Sequence, residues 1–174
     1  MLRRTTLTAV LCLSATVSAN AQWIHRSQED PFKGKATQLA MTMKSGQSAA
    51  FRCSSADDLT LVYIIPEKVT DATTRMLAAA DLKLLVIVDD APKIELDAQL
   101  ETTPSGDSYR LEASTEEVAK ILHMVAAAKR RFAVASEFVG QSFYPTIFAV
   151  DGSRSALSKL ISGCKVPLPG SPKS

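Results

Sequence analysis

A cysteine close to the end of the chain, Cys164, constrains the fold more than any other residue. It lies in the segment SALSKLISGCKV, where apolar residues recur at the i, i+3, i+4 and i+7 spacing of a helix with one buried face: Leu157, Leu160, Ile161 and Cys164. Earlier in the chain, Cys53 follows Phe51 at a spacing of two in SAAFRCS, so both side chains share one face of a predicted strand. Both sulfurs are therefore expected to point into the same core.

The first 21 residues have the features of a secretory signal peptide. MLRRTTLTAVLCLSATVSANA has a basic start, an apolar run over residues 7–17 and small residues at an A-x-A site. Cleavage is predicted between Ala21 and Gln22, which removes Cys12 and leaves two cysteines. Lipid attachment at Cys12 is not expected, because Leu11 precedes it where a small residue would be needed. The sequence thus predicts a periplasmic or secreted protein.

Two cysteines in an exported chain most often pair with each other, which predicts a Cys53–Cys164 disulfide. In the chain-entropy model, closing a loop of that length stabilises the fold by about 4–5 kcal/mol. Two independent buried thiols are the alternative, since a free cysteine packs like a small apolar residue. A metal site is a weaker alternative, because neither His25 nor His123 lies near a cysteine at a ligand-like spacing.

The charge balance argues against a nucleic-acid partner. Removal of the leader takes away two arginines, so the 20 basic residues fall to 18 and equal the 18 acidic residues. A neutral chain lacks the basic surface that a phosphate backbone requires. No segment after the leader has about 18 uninterrupted apolar residues, so no stable membrane span is predicted.

Alternating apolar residues predict a series of short strands within one domain, residues 22–166, followed by a disordered tail over 167–174. The predicted strands are ATQLAMTMK, SAAFRCS, DLTLVYIIP, LKLLVIVDD, KIELDAQLE, SYRLEA, RFAVASEF and FYPTIFAV. Short polar connections between the first three predict an antiparallel meander. LKLLVIVDD is apolar on both faces and is expected to be central. Residues 22–35 are interpreted as a polar start with a turn at residues 29–31.

Two helices are predicted in the second half of the chain, and residues 69–80 are interpreted as a third short helix, with a loop as the alternative. The first has Ser114 and Glu117 as a capping box and an apolar stripe of Val118, Ile121, Leu122 and Val125. The second is the cysteine-bearing helix, for which Asp151 is the predicted N-cap. The expected fold is therefore α+β, an antiparallel β-sheet or sandwich covered by two or three helices, with one disulfide.

Four motifs that have a known catalytic or binding mechanism are missing from the sequence. G-x-S-x-G, H-E-x-x-H, C-x-x-C and a glycine-rich phosphate loop are all absent from it. Asp89 and Asp90 follow a central strand, where catalytic carboxylates occur, but the Ala-Pro after them favours a turn. His123 is interpreted as a solvated helix residue and His25 as part of a polar segment. No catalytic residue, cofactor or metal site is predicted.

A pattern over most of the chain resembles that of small exported bacterial proteins. It consists of Phe51-Arg52-Cys53, Leu61-Val62-Tyr63, Val88-Asp89, Phe148-Ala149-Val150-Asp151-Gly152, Ala156-Leu157, Leu160 and Cys164. This resembles the accessory proteins associated with type VI secretion, and more loosely is similar to the invasion-associated locus B proteins. Lys165-Val166 stands where the first family often has an aromatic residue, and the extra cysteines of the second family are absent. The resemblance implies an exported, disulfide-stapled fold and transfers no catalytic residue.

The first functional hypothesis is a non-enzymatic binding or accessory module that contacts an envelope or host protein. Pro145 is typical of an edge strand, so the contact edge is predicted on FYPTIFAV at Phe143, Tyr144 and Ile147. One alternative is a small exported hydrolase with a pocket near Asp89, its neighbouring aspartate and a histidine. Another is a soluble carrier of a small apolar ligand, which needs a cavity.

Overall fold

The computed structural model describes residues 22–30, 35–68, 80–102, 108–114 and 116–169, and within these ranges the chain forms nine strands and two α-helices. The strands are β1 Ile24–Asp30, β2 Lys35–Lys44, β3 Gln47–Cys53, β4 Thr60–Ile65, β5 Leu82–Val88, β6 Ile94–Thr102, β7 Tyr109–Ala113, β8 Phe132–Phe138 and β9 Gln141–Phe148. The helices are α1 Glu116–Ala127 and α2 Ser153–Cys164. The predicted signal peptide, the end of the predicted tail, and the predicted helix up to residue 79 lie outside the described residues.

The nine strands form a single sheet in the order β1-β2-β3-β4-β7-β6-β5-β8-β9. Every neighbouring pair is antiparallel, from β1 with β2 to β8 with β9. The predicted antiparallel sheet with covering helices is confirmed, as is the meander of β2, β3 and β4. The apolar strand β5 is flanked by β6 and β8, so its predicted interior position is confirmed too.

The first strand, β1, is a feature that the sequence does not predict. It pairs with β2 along its whole length, from Ile24 opposite Met41 to Asp30 opposite Lys35. Its side chains are mostly polar and exposed, because β1 ends the sheet and is held mainly by backbone hydrogen bonds. Such a polar strand has no apolar alternation by which to recognise it, and its polar and charged side chains disfavour pairing with strands of other chains.

An aromatic cluster fills one end of the sheet's concave face. Its members are buried side chains from the segment before β1 and from β3, β4, β8 and β9: Trp23, Phe51, Tyr63, Phe132 and Phe148. The Trp23 ring centroid lies 6.2 Å from that of Phe51 and 5.8 Å from that of Phe132. Both helices add to this core, and the predicted stripe of α1 is buried as expected.

Trp23 also joins the two ends of the strand order. Its indole Nε1–H donates to the carbonyl of Ala149 at 3.0 Å, and its backbone N–H donates to the carbonyl of Asp151 at 3.1 Å. Because Trp23 precedes β1 and both acceptors follow β9, the sheet must curl to bring its ends together. The result is a curled sheet whose concave face holds the core.

Helix α2 lies across β1, β2 and β3, and the disulfide fastens its last residue. Cys53 in β3 is bonded to Cys164 at a Cα–Cα distance of 6.1 Å, and both residues are buried. The approach to β2 is close at Gly163, where an added Cβ would lie 2.7 Å from Cδ of the buried Gln38. The predicted cap at Asp151 is wrong, because the N-cap is Gly152, whose φ of 78° needs a left-handed backbone that glycine readily adopts.

Candidate functional site

A bulge in β9 gives this strand an irregular shape near its start. Val134 of β8 pairs with Thr146, but Ser136 pairs with Phe143, so two residues of β9 oppose one residue of β8. These two are Tyr144, with a left-handed φ of 52°, and the proline after it, which has no N–H to contribute to the ladder. Bulges of this kind redirect side chains, and here the redirected side chain is that of Tyr144.

A buried tyrosine of β4 anchors the bulge from across the sheet. The Tyr63 hydroxyl donates to the carbonyl of Tyr144 at 2.5 Å and lies 2.9 Å from Oγ1 of Thr146. Thr146 in turn donates to the Gln47 side chain at the start of β3. Burial raises the pKa of Tyr63, with the Thr146 contact acting in the opposite direction, so the hydroxyl keeps the proton that it donates. The strained backbone at Tyr144 is thus fixed by a buried hydrogen bond.

A pocket of about 360 Å³ opens beside this bulge. We call it the mouth pocket. Its lining residues come from the chain after β4 and from the ends of β5 to β9 that lie on the same side of the sheet: Glu67, Lys68, Leu82, Leu100, Tyr109, Leu111, Ser136, Phe138, Phe143 and Tyr144. The floor is buried and mostly apolar, whereas Glu67, Lys68 and Phe143 are exposed at the rim. The concave face is thus filled by aromatic rings at one end and open at the other.

Two tyrosines and a carboxylate form the polar end of the mouth pocket. The rings of Tyr109 and Tyr144 meet edge to face at 6.4 Å, and the Tyr144 hydroxyl donates to the Glu67 carboxylate. Burial raises the pKa of Tyr109 far above its ordinary value, and the nearby Tyr144 hydroxyl raises this pKa further. Burial also raises the pKa of Tyr144, as does its bond to Glu67, while the nearby Tyr109 hydroxyl lowers it. Both phenols therefore stay protonated.

The outer edge of β9 is occupied by hydrogen bonds from the other half of the sheet. Besides the Tyr63 bond, Lys44 Nζ donates to the carbonyl of Ile147 at 2.8 Å, and Trp23 donates to the carbonyl of Ala149 just beyond the strand. A strand is extended by a partner only where its backbone groups are unpaired. The strand is last in the sheet order, but these carbonyls have partners within the chain.

The three residues that were predicted to form a contact edge lie on two different faces of β9 in the structure. Phe143 and Tyr144 both line the mouth pocket, and Phe143 is 40% exposed. Ile147 pairs with Ala133, next to the core pair of Phe148 with Phe132, so it lies on the opposite face of the strand and is 49% exposed. The three residues therefore lie on two faces of the strand, and a contact through this edge stays a prediction.

The residues named for a hydrolase have separate structural partners. The Asp89 carboxylate accepts three backbone N–H groups, from Lys129 at 3.0 Å, Arg130 at 2.8 Å and Arg131 at 3.0 Å. These bonds lower the pKa of Asp89, and Asp90 pairs with the Arg130 guanidinium. The two aspartates therefore tie the end of β5 to the loop before β8, which is the turn interpretation.

The two histidines contact other parts of the molecule. His25 Nε2 lies 3.0 Å from Oε1 of Gln38, and His123 Nε2 lies 2.9 Å from the carbonyl of Pro167. Both partners are held within the fold, one under α2 and one after it. Within the ranges that the structure describes, no group of three His, Cys, Asp or Glu residues is arranged to hold a metal ion.

Sequence reasoning missed most of the mouth pocket. Phe143 and Tyr144 were singled out by the edge-strand pattern, but Glu67 and Tyr109 were not. These two become neighbours because β7 lies beside β4 in the sheet, although 42 positions separate residues 67 and 109 along the chain. The sequence pattern of one strand does not show which residues of other strands lie beside it.

The fold and the pocket define a class of structure: a curled antiparallel sheet, stapled to its last helix, with one mouth open. No family model matches the sequence, and no curated protein matches it. Among solved structures, the chain is similar to invasion-associated protein B from Bartonella henselae, with a TM-score of 0.48 and 10% identity over 83% of this chain and 95% of that chain. This is a loose resemblance of fold, and no functional statement is taken from it. Neither helix in the described ranges is long and apolar enough to cross a membrane.

Proposed function

We propose that the protein is an exported, non-enzymatic binding module that takes a small ligand with an apolar body into the mouth pocket. The proposal joins the first functional hypothesis, a binding module, with the carrier alternative, which required a cavity. The edge contact predicted on β9 is replaced by a pocket contact, because the carbonyls of that edge have partners within the chain.

The observation that carries the proposal is an open pocket lined by described residues of the chain after β4 and of β5 to β9. A volume of about 360 Å³ lies within the range of small-molecule sites. At about 30 Å³ for each water-sized group, it has room for about a dozen non-hydrogen atoms. The leucines of the floor supply apolar contact, and Phe143 at the rim leaves an aromatic ring available to a ligand.

Titration of the mature protein with 1-octanol, an uncharged chain of suitable size, tests the proposal by two-dimensional NMR. Phe143→Ser should weaken octanol binding by about fivefold, since it removes roughly 1 kcal/mol of apolar contact. Ile147→Ser is the matched control, because Ile147 is similarly exposed on the opposite face of the same strand. Absence of binding, or equal losses in both variants, would contradict the proposal.

A second candidate function is contact with an envelope or host protein through the convex side of the sheet. Apolar residues lie on that side of β1 to β4, and we call this set the outer face: Ile24 and Met43 are exposed, Leu39, Met41 and Ile64 are half-buried, and Ala50 and Val62 are buried. Ile24 is 42% exposed and Met43 is 54% exposed. Exposed apolar patches of this kind mark interaction sites, and methionines adapt to varied partners.

Site-specific photocrosslinking in the producing cell tests the second candidate. A photoreactive residue at Met43 should give one defined adduct, and the adduct should be lost when Ile24→Lys places a charge on the same face. The same probe at Val139, which is 78% exposed outside the patch, is the control. Equal adducts from both positions would mean that the outer face has no particular partner.

Export to the periplasm or beyond is part of the proposal. The leader pattern supports it, and so does the disulfide, because such bonds persist in oxidising compartments. Mass spectrometry of the protein recovered from the cell envelope should find Gln22 as the first residue. An uncleaved chain in the cytosol would contradict export.

An association with type VI secretion is a further prediction from the sequence resemblance, tested by comparing the amount secreted with and without that system.

A further inference from the structure

The polar end of the mouth pocket offers a carboxylate at the rim, and two of its hydroxyl donors are already engaged. Tyr144 donates to the Glu67 carboxylate, and Ser136 donates to the carbonyl of Phe143 at 3.1 Å. The Tyr109 ring lies edge to face against that of Tyr144. The fixed acceptor at the rim is therefore the Glu67 carboxylate.

Aromatic rings line the mouth pocket together with this carboxylate. Four of the lining residues are aromatic: Tyr109, Phe138, Phe143 and Tyr144. The face of an aromatic ring attracts a cation, and several rings beside a carboxylate form a site that suits an ammonium group. The hydrogen bond from Tyr144 holds Glu67 in place for such a contact.

We infer that the ligand of the mouth pocket is an organic cation, an ammonium group on an apolar body of about eight to twelve non-hydrogen atoms. This inference rests on the proposed function of the pocket and adds the charge of the ligand. The body would lie on the leucines of the floor, and the ammonium would donate to Glu67 at the rim.

Lys68 is the lining residue that opposes this assignment. It carries a positive charge beside Glu67, but it is exposed, and its flexible stem allows the ammonium to remain in water. Glu67 is tied to the pocket by Tyr144, whereas the Lys68 charge is free to move away from a bound cation. The fixed charge at the rim is therefore negative.

Three probes with the same eight-carbon chain test the inference: octylammonium, 1-octanol and octanoate. Affinities are measured by two-dimensional NMR titration at low ionic strength. Octylammonium should bind best. Glu67→Gln should weaken octylammonium about threefold to fivefold, the range for an exposed charge pair, and leave octanol unchanged. Glu137→Gln is the matched control, since it removes the same charge from β8 on the face opposite Ser136 and should change neither affinity.

The outcomes separate the inference from the proposed function. If octanol binds and octanoate binds as well as octylammonium, the pocket function stands and the assignment of a cation is wrong. Equal losses in Glu67→Gln and Glu137→Gln would also overturn it, because the effect would then come from net charge alone. If no probe binds, the proposed function itself fails.

Discussion

Replacing Trp23 should cost more stability than any other single change among residues 22–30. Its side chain is 3% exposed, contacts two buried phenylalanine rings and donates to the carbonyl of Ala149. Trp23→Ala removes both kinds of contact and leaves a cavity, so it should lower the free energy of unfolding by about 3–5 kcal/mol. Trp23→Phe keeps an aromatic ring but loses the indole N–H, and about 1–2 kcal/mol is expected for the carbonyl left without its donor.

Urea unfolding followed by far-ultraviolet circular dichroism measures these differences, because the chain has one tryptophan and the variants lack its fluorescence. Ile24→Ala is the control at the next position, where a 42% exposed side chain should change stability by about 0.5 kcal/mol or less. A loss below about 1 kcal/mol in Trp23→Ala would refute the reasoning. It would mean that the segment before β1 is not part of the cooperative core and does not close the curled sheet.

Three further predictions concern other links in the fold. In urea unfolding, the double variant Cys53→Ser/Cys164→Ser should have a free energy of unfolding lower by about 4–5 kcal/mol, because the bond links residues 111 positions apart. No loss would mean that the bond does not reduce the conformational entropy of the unfolded chain. Tyr63→Phe should cost about 1–3 kcal/mol in thermal unfolding, since it removes the donor to the Tyr144 carbonyl; an unchanged Tm would show that the bulge is held by other contacts. Asp89→Asn should be less stable than the natural protein at neutral pH. Because folding lowers the pKa of Asp89 below 3.8, this difference should shrink as the pH falls from there through the folded pKa, and a difference that persists in acid would count against the carboxylate.

Local patterns were sufficient for the elements that bury an apolar face. The stripe of α1 from Val118 to Val125 and the alternation in β3 and β4 are set by the spacing of apolar residues, so the sequence predicts them. In β2 the pattern predicted the strand but not which of its two faces is buried. The buried face holds Gln38, Ala40 and Thr42, because small or hydrogen-bonded residues let α2 approach closely.

The mouth pocket could not be predicted, because it depends on the order of strands in the sheet. Leu82 of β5 and Leu111 of β7 lie in one pocket floor because only β6 separates their strands in the sheet. The bulge at Tyr144 likewise depends on a hydroxyl from β4, which lies 81 positions away in the sequence. Pro145 indicated an edge strand, but it did not indicate which way the bulge turns the side chain of Tyr144.

The contact of Trp23 with the carbonyl of Ala149 has a consequence for when the chain can fold. Its partners are 126 positions apart, and the cysteines are 111 positions apart. Contacts of such long range make folding slow, because the loop must close before they form. A chain threaded through a narrow export channel from its N-terminus would present the indole first and its acceptor almost last. If the chain is exported in this way, as proposed, the sheet can close only after residues near Ala149 have also crossed the membrane.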